Sequence, residues 1–135
     1  MIEPLWLPIE AVVLFNEQAI DASPHLKERH LVKDMAKLEG AMNRPQASYH
    51  YAHESDILVL TADYMVAIGE CHAFEQGSKR TGFIAGYAFL ESNGYTLTDE
   101  ADDELVAVAL LEVLTKDRPF DSFRDYLEQF VVPKD

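Results

Sequence analysis

A chain of 135 residues, 48% hydrophobic and 26% charged, has the make-up of one packed globular domain, which excludes intrinsic disorder, collagen-like repeats and long coiled coils. Its 11 Lys and Arg against 24 Asp and Glu give a net charge of −13, so most of the surface repels phosphate backbones and direct nucleic-acid binding is not expected. Cys71 is the single cysteine, which excludes an internal disulfide.

The amino terminus carries Glu3 where a secretion signal carries Lys or Arg, and its apolar run is broken at Pro8 and Glu10. The charge-free stretch Thr81–Leu90 is about half of the roughly 20 residues a membrane-spanning helix needs. A cytoplasmic domain without membrane contact is expected. Ile9, Val12, Val13 and Ile20 share one face of a first helix at roughly 8–21, opened at Pro8 and closed by Ser23-Pro24. Asp34 caps a second helix through Met35, Leu38 and Met42 that ends before Pro45, because a residue preceding proline avoids the α region. Residues 45–54 then read as an aromatic loop or flap.

From Ser55 onward Ile57, Leu60, Tyr64, Ile68 and Cys71 form one apolar stripe, and Leu58, Ala62 and Met65 another. Polar residues are confined to the line Asp56, Asp63 and Glu70, the pattern of a helix buried in the domain centre. Residues 78–93 are apolar on several faces and stop at Asn93-Gly94. Thr98, followed by Asp99 and Glu100, reads as the start of a helix through Leu105 to Leu114, and a last helix carries Phe120, Phe123, Leu127 and Phe130. No period-two run of useful length occurs. The reading is an all-α single domain over 1–135, with about six helices.

Between the two buried helices lies a polar turn, His72 to Arg80. Gly77 admits a backbone conformation closed to other residues, so the amides of Gly77, Ser78 and Lys79 can converge at the start of the following helix. Such a helix end favours a phosphate, and Lys79 and Arg80 add positive charge at the same place in an acidic chain. His72, one short loop away, carries an imidazole, the side chain suited to general-base work at neutral pH. Phe74 is expected to turn inward and pin the loop. A base beside a phosphate cradle points to transfer of a phosphate-containing group onto a hydroxyl. Neither a P-loop nor a dinucleotide-binding glycine motif is present.

His72, Phe74, Gly77, Lys79, Arg80 and Thr81, read as His-x-Phe-x-x-Gly-x-Lys-Arg-Thr, resemble the signature of the Fic/Doc superfamily, in detail its death-on-curing (Doc) toxin branch. The Ala41–Pro45 and Phe89–Tyr95 segments resemble Doc counterparts in the same order. The resemblance implies a Fido-type helical bundle, a toxin of a type II toxin–antitoxin module, and use of ATP with Mg²⁺. Fic relatives transfer AMP to a hydroxyl, whereas Doc phosphorylates a translation factor, elongation factor Tu. Lysine at position 79, where Fic enzymes carry glycine, favours the kinase. Carried over, His72 is the base, Lys79 and Arg80 are phosphate clamps, and Phe74, Gly77 and Ser78 complete the nucleotide site. Gln76 stands where the family has a metal-binding acid, leaving Gln76 and neighbouring Glu75 as the Mg²⁺ donors, and Ser78 stands where it has Asn. Glutamine offers the ion a carbonyl oxygen without charge.

The alternatives are a Fic-like AMP transferase and a catalytically degraded module that only binds its antitoxin. Glu39-Gly40 is present but Met35 occupies the hydroxyl position of a Fic-type self-inhibiting segment, so inhibition is expected from a cognate antitoxin chain. His50 and His53 read as part of a polar flap rather than a metal pair, Cys71 as a buried filler, and the acids from Asp99 to Glu104 as a solvated helix start.

Overall fold

The described residues, 3–23, 27–101 and 103–134 of a computed structural model, form six helices and one two-stranded ribbon. In chain order these are α1 (Ile9–Asp21), α2 (Met35–Tyr51), α3 (Ile57–Glu70), α4 (Ser78–Ser92), β1 (Tyr95–Leu97), α5 (Asp103–Leu114), α6 (Phe120–Glu128) and β2 (Val131–Pro133). The expectation of an all-α domain with about six helices holds. The strands pair antiparallel, Tyr95 opposite Pro133 and Leu97 opposite Val131, and are too short to display a period-two pattern in sequence.

The centre belongs to α3. Asp56 caps it by accepting the Leu58 N–H at 2.9 Å, and every residue from Leu58 to Ile68 except Val59 is buried. On one side lies a cluster with Val12, Leu38, Met42 and Phe89, and on the other a cluster with Val106, Leu110, Phe123 and Leu127. Side chains such as Tyr64 and Phe123, both fully buried, each contribute about 1.5–3 kcal/mol relative to exposure. The extended start of the chain is latched across this core. Asn93 accepts from the Leu5 N–H at 2.8 Å and donates to the Leu5 carbonyl at 3.1 Å, and Trp6 stacks on Phe89.

Glycine sets the separation of α3 and α4. A methyl group on Gly82 would sit 2.6 Å from the Met65 carbonyl oxygen and 3.0 Å from the Gly69 nitrogen, and one on Gly86 would run into the Met65 side chain. The two helices run antiparallel with their backbones nearly touching. The carboxyl end of α3 and the amino end of α4 therefore meet at one edge of the molecule.

Three sequence expectations are corrected. First, α2 continues through Pro45 to Tyr51, so residues 45–51 are helix rather than flap. Proline removes one helical hydrogen bond, at a cost of about 3 kcal/mol. Tertiary anchoring offsets that loss: Pro45 is buried, Arg44 pairs with Glu70 at 2.6 Å, and Tyr49 packs edge-on against Trp6. Second, α5 starts at Asp103 and not at Thr98. The Thr98 N–H is taken by the Phe130 carbonyl at 2.8 Å, extending the ribbon, and its hydroxyl is bonded to Glu100, whose carboxyl it holds below the ordinary value. Third, Phe130 lies beyond the end of α6. Pro24 and Asp102 fall outside the described residues. Among the described residues no helix is long and apolar enough to cross a membrane.

Candidate functional site

Residues 72–81 join α3 to α4 at the edge where the two helices meet. Cys71 caps α3, and His72 follows with φ 57°, the left-handed position that usually ends a helix on glycine. A β-carbon there costs on the order of 1–2 kcal/mol, and the imidazole it carries is exposed. Phe74 turns inward and is 3% exposed. The segment leading into α2 runs beside it: Val32 bridges Phe74, Lys33 donates to the Ala73 carbonyl at 2.7 Å, and the Glu75 N–H donates to the Leu31 carbonyl at 3.0 Å.

Gly77 opens α4 with φ 80° and no side-chain cap. A β-carbon at Gly77 would lie 3.2 Å from Ile20 Cδ1 and 3.3 Å from Asn16 Nδ2, so both the backbone angle and the space demand glycine. The first helical bond inside α4 runs from the Thr81 N–H to the Gly77 carbonyl at 2.9 Å, which leaves the amides ahead of it at the positive end of the helix dipole. Lys79 is exposed and, among the described residues, makes no ion pair. These features suit an anion. Beneath the turn, Asn16 of α1 is fully buried; its Nδ2 donates to the Gln76 carbonyl at 2.8 Å and to Thr81 Oγ1 at 3.0 Å, while its Oδ1 accepts from His30 Nδ1 at 2.7 Å.

Residues 6–90, which contain this turn, match the family model described as Fic/DOC family. The chain belongs to the Fic/Doc family. It is 31% identical over 100 residues, 73% of this chain and 77% of the relative, to a protein named Toxin Doc from Mycolicibacterium smegmatis. It is also 31% identical over 84 residues, 61% of this chain and 67% of the relative, to a protein named Protein kinase doc from Escherichia phage P1.

In this Fic/Doc domain His72 lines one depression on the edge and Lys79 and Arg80 another, while Phe74, Glu75, Gln76, Gly77 and Ser78 line neither. His72 lines a shallow one of about 360 Å³ with Lys37, Gly40, Arg44 and Glu70. Lys79 and Arg80 line an apolar groove of about 610 Å³ between α1, α4 and α5, with Phe83, Ile84, Val108 and Leu111. Neither depression is lined by both His72 and Lys79, which flank the 73–77 loop in the chain. Arg80 is not a free clamp. Its Nη2 donates to both Glu28 oxygens at 2.9 Å, and its Nη1 to the Ala19 carbonyl at 3.3 Å.

The donors at 75 and 76 do not suit Mg²⁺, which favours charged oxygens in tight octahedral geometry. Gln76 brings a neutral amide and its backbone carbonyl is bonded to Asn16; the Glu75 carboxylate is paired with Arg29 at 3.2 Å. Cys71 is half-buried, and burial pushes its thiol up, away from the reactive thiolate. His50 sits in the last turn of α2, 3.9 Å from Glu3, and His53 lies just beyond that helix with φ 59°.

Asn16, Glu28 and His30 escape a sequence reading of the Fic/Doc motif. A signal existed for Asn16 alone: it falls at 12, 16, 20 among the apolar residues of α1, and a polar side chain on a buried stripe needs partners. Glu28 and His30 lie on an irregular segment whose neighbours are set only by the fold.

Proposed function

We propose that this chain is a Doc-type toxin that transfers the γ-phosphoryl group of ATP to a Ser or Thr hydroxyl of a translation factor, and that a separate antitoxin chain holds it in check. One observation carries the reading. At the joint of α3 and α4 an exposed histidine ends one helix, and a left-handed glycine five residues on opens the next, uncapped and beside an exposed lysine. Relatives named as a toxin and as a protein kinase support it.

In this reading His72 takes the proton of the acceptor hydroxyl, contributing about 10²–10⁴ in rate. The hydroxyl oxygen bonds to the γ-phosphorus, the bond from phosphorus to the β–γ bridging oxygen breaks, and ADP leaves. The charge on the transferring group meets the Gly77 and Ser78 amides, the α4 dipole and Lys79. We assign the acceptor to the His72 side of the loop and the nucleotide to the Lys79 side. An apolar antitoxin segment seated in the α1–α4–α5 groove would cover Lys79, and the charge of −13 speeds its approach if it is basic.

A second reading, a module that acts by binding alone, is favoured by the Glu28 carboxylate already filling the Arg80 fork. Purified protein incubated with cell extract and ATP labelled at the α or the γ phosphate separates the readings. The kinase passes γ label to a protein target, and His72→Ala passes none. Transfer of α label alone overturns it in favour of AMP transfer, and growth arrest unchanged in His72→Ala supports the binding module.

A further inference from the structure

Two peptide units supply the first two amides at the mouth of α4, those of Gly77 and Ser78, and their carbonyls have partners that no motif residue reading assigns. The unit joining residues 76 and 77 carries the Gln76 carbonyl and the Gly77 N–H. Its carbonyl accepts from Asn16 Nδ2 at 2.8 Å, inside the protein, where Asn16 is fully buried. The unit joining residues 77 and 78 carries the Gly77 carbonyl and the Ser78 N–H. Its carbonyl accepts from the Thr81 N–H at 2.9 Å and from Thr81 Oγ1 at 2.8 Å.

A trans peptide is planar, with N–H and C=O on opposite sides. A carbonyl drawn inward therefore turns its own N–H outward. A hydrogen bond accepted at the carbonyl also polarises the unit and strengthens the N–H as a donor, by roughly 10–30% per bond. The two carbonyl anchors are themselves joined, because Asn16 Nδ2 also donates to Thr81 Oγ1 at 3.0 Å.

The orientation of the Asn16 amide is fixed by its neighbours. The Gln76 carbonyl is an acceptor only, so the atom facing it is the nitrogen, and the oxygen faces His30 Nδ1 at 2.7 Å. His30 therefore carries its hydrogen on Nδ1. Every polar atom of the Asn16 side chain is in use, and Thr81, also fully buried, receives one bond and gives another.

We propose that Asn16 and Thr81 are positioning residues for the anion cradle: they hold the Gln76 and Gly77 carbonyls inward so that the Gly77 and Ser78 N–H groups face the phosphates, with His30 locking the Asn16 amide. This rests on the nucleotide reading of the turn but is separable from it. Neither residue touches the ligand, so neither is catalytic.

The test is titration of the protein with pyrophosphate, followed by backbone amide NMR shifts, in wild type, Thr81→Val, Thr81→Ser and Asn16→Leu. Valine keeps the shape of threonine without the hydroxyl; serine keeps the hydroxyl. In wild type the Gly77 and Ser78 amides move most on titration. Thr81→Val weakens pyrophosphate binding by up to about ten-fold, the upper end of what one neutral hydrogen bond contributes, and Thr81→Ser stays within about two-fold. The KM for ATP rises in parallel with the loss of binding while the KM for the protein acceptor does not. Should Asn16→Leu fail to fold, the Thr81 pair still decides. Equal affinities in Thr81→Val and wild type, or unmoved Gly77 and Ser78 amides, overturn the inference even if γ label is transferred. Moving amides with weakened binding in Thr81→Val support it even if no label is transferred, and the kinase reading alone then falls.

Discussion

Arg80 grips both carboxylate oxygens of Glu28 at 2.9 Å, so a guanidinium at the mouth of α4 is bonded within the chain. The side chains are 41% and 17% exposed, and a pair that open to water contributes about 0.2–1 kcal/mol. A polyphosphate and Glu28 compete for the same fork. Glu28→Gln keeps the shape and removes the charge. Its affinity for pyrophosphate is expected to rise about three- to ten-fold for a gain near 1 kcal/mol, with a Tm lower by a few degrees at most. Calorimetric titration of both proteins reads the first effect, and unchanged affinity would show that the anion binds elsewhere.

The α3–α4 contact predicts a sharp difference between two glycines. At Gly82 a methyl group meets the Met65 carbonyl at 2.6 Å, and backbone cannot rotate away as a side chain can; at Gly40 nothing lies within 4 Å. Gly82→Ala is expected to destabilise by about 1–3 kcal/mol through overpacking. Gly40→Ala, in the exposed part of α2, is expected to stabilise by about 0.5–1 kcal/mol through helix propensity. Urea midpoints of the two variants give the answer, and equal shifts would refute the close approach.

Asp63 makes stability depend on pH. Burial raises its carboxyl above the ordinary 3.8, against the hydrogen bond from Ser48 and the charge of Arg44, which lower it. The folded state then binds a proton more tightly than the unfolded state. Stability falls as pH climbs from 3.8 through the raised folded value, and the penalty stays constant above it. Asp63→Asn removes the penalty, so it is expected to be more stable than wild type at pH 7, with the gap closing toward pH 3.8. Thermal scans of both proteins across that range check the sign.

His72 combines strain with exposure. Its φ of 57° suits glycine, so His72→Gly relieves the left-handed strain while loosening the unfolded chain, for a net gain of up to about 1 kcal/mol. His72→Ala keeps a β-carbon and gains nothing. Both variants are expected to lose label transfer. An active His72→Gly protein would remove the imidazole from the chemistry.

The acidic line of α3 shows how far the sequence could be read. Asp56, Asp63 and Glu70 were visible as polar residues on a buried helix, but their partners come from α6 and α2. Asp56 takes Arg124 at 2.9 Å, Asp63 takes Ser48, and Glu70 takes Arg44 at 2.6 Å. Pro45 shows the opposite case: its local preference to end a helix was read correctly and was overruled by packing around Tyr49 and Arg44.

Periodicity and residue type alone determined the helical class, the central place of α3, the inward Phe74 and the left-handed Gly77, because each follows from side-chain spacing or from backbone freedom within a few residues. The family, too, was legible in the spacing of His72 to Thr81. Tertiary structure alone decided that Glu28 fills the Arg80 fork, that Asn16 anchors the turn, and that His72 and Lys79 open onto different depressions. The Glu28 and Asn16 contacts join residues up to sixty-five positions apart, and only the packing of α1 and the 27–34 segment against the turn brings them within bonding distance.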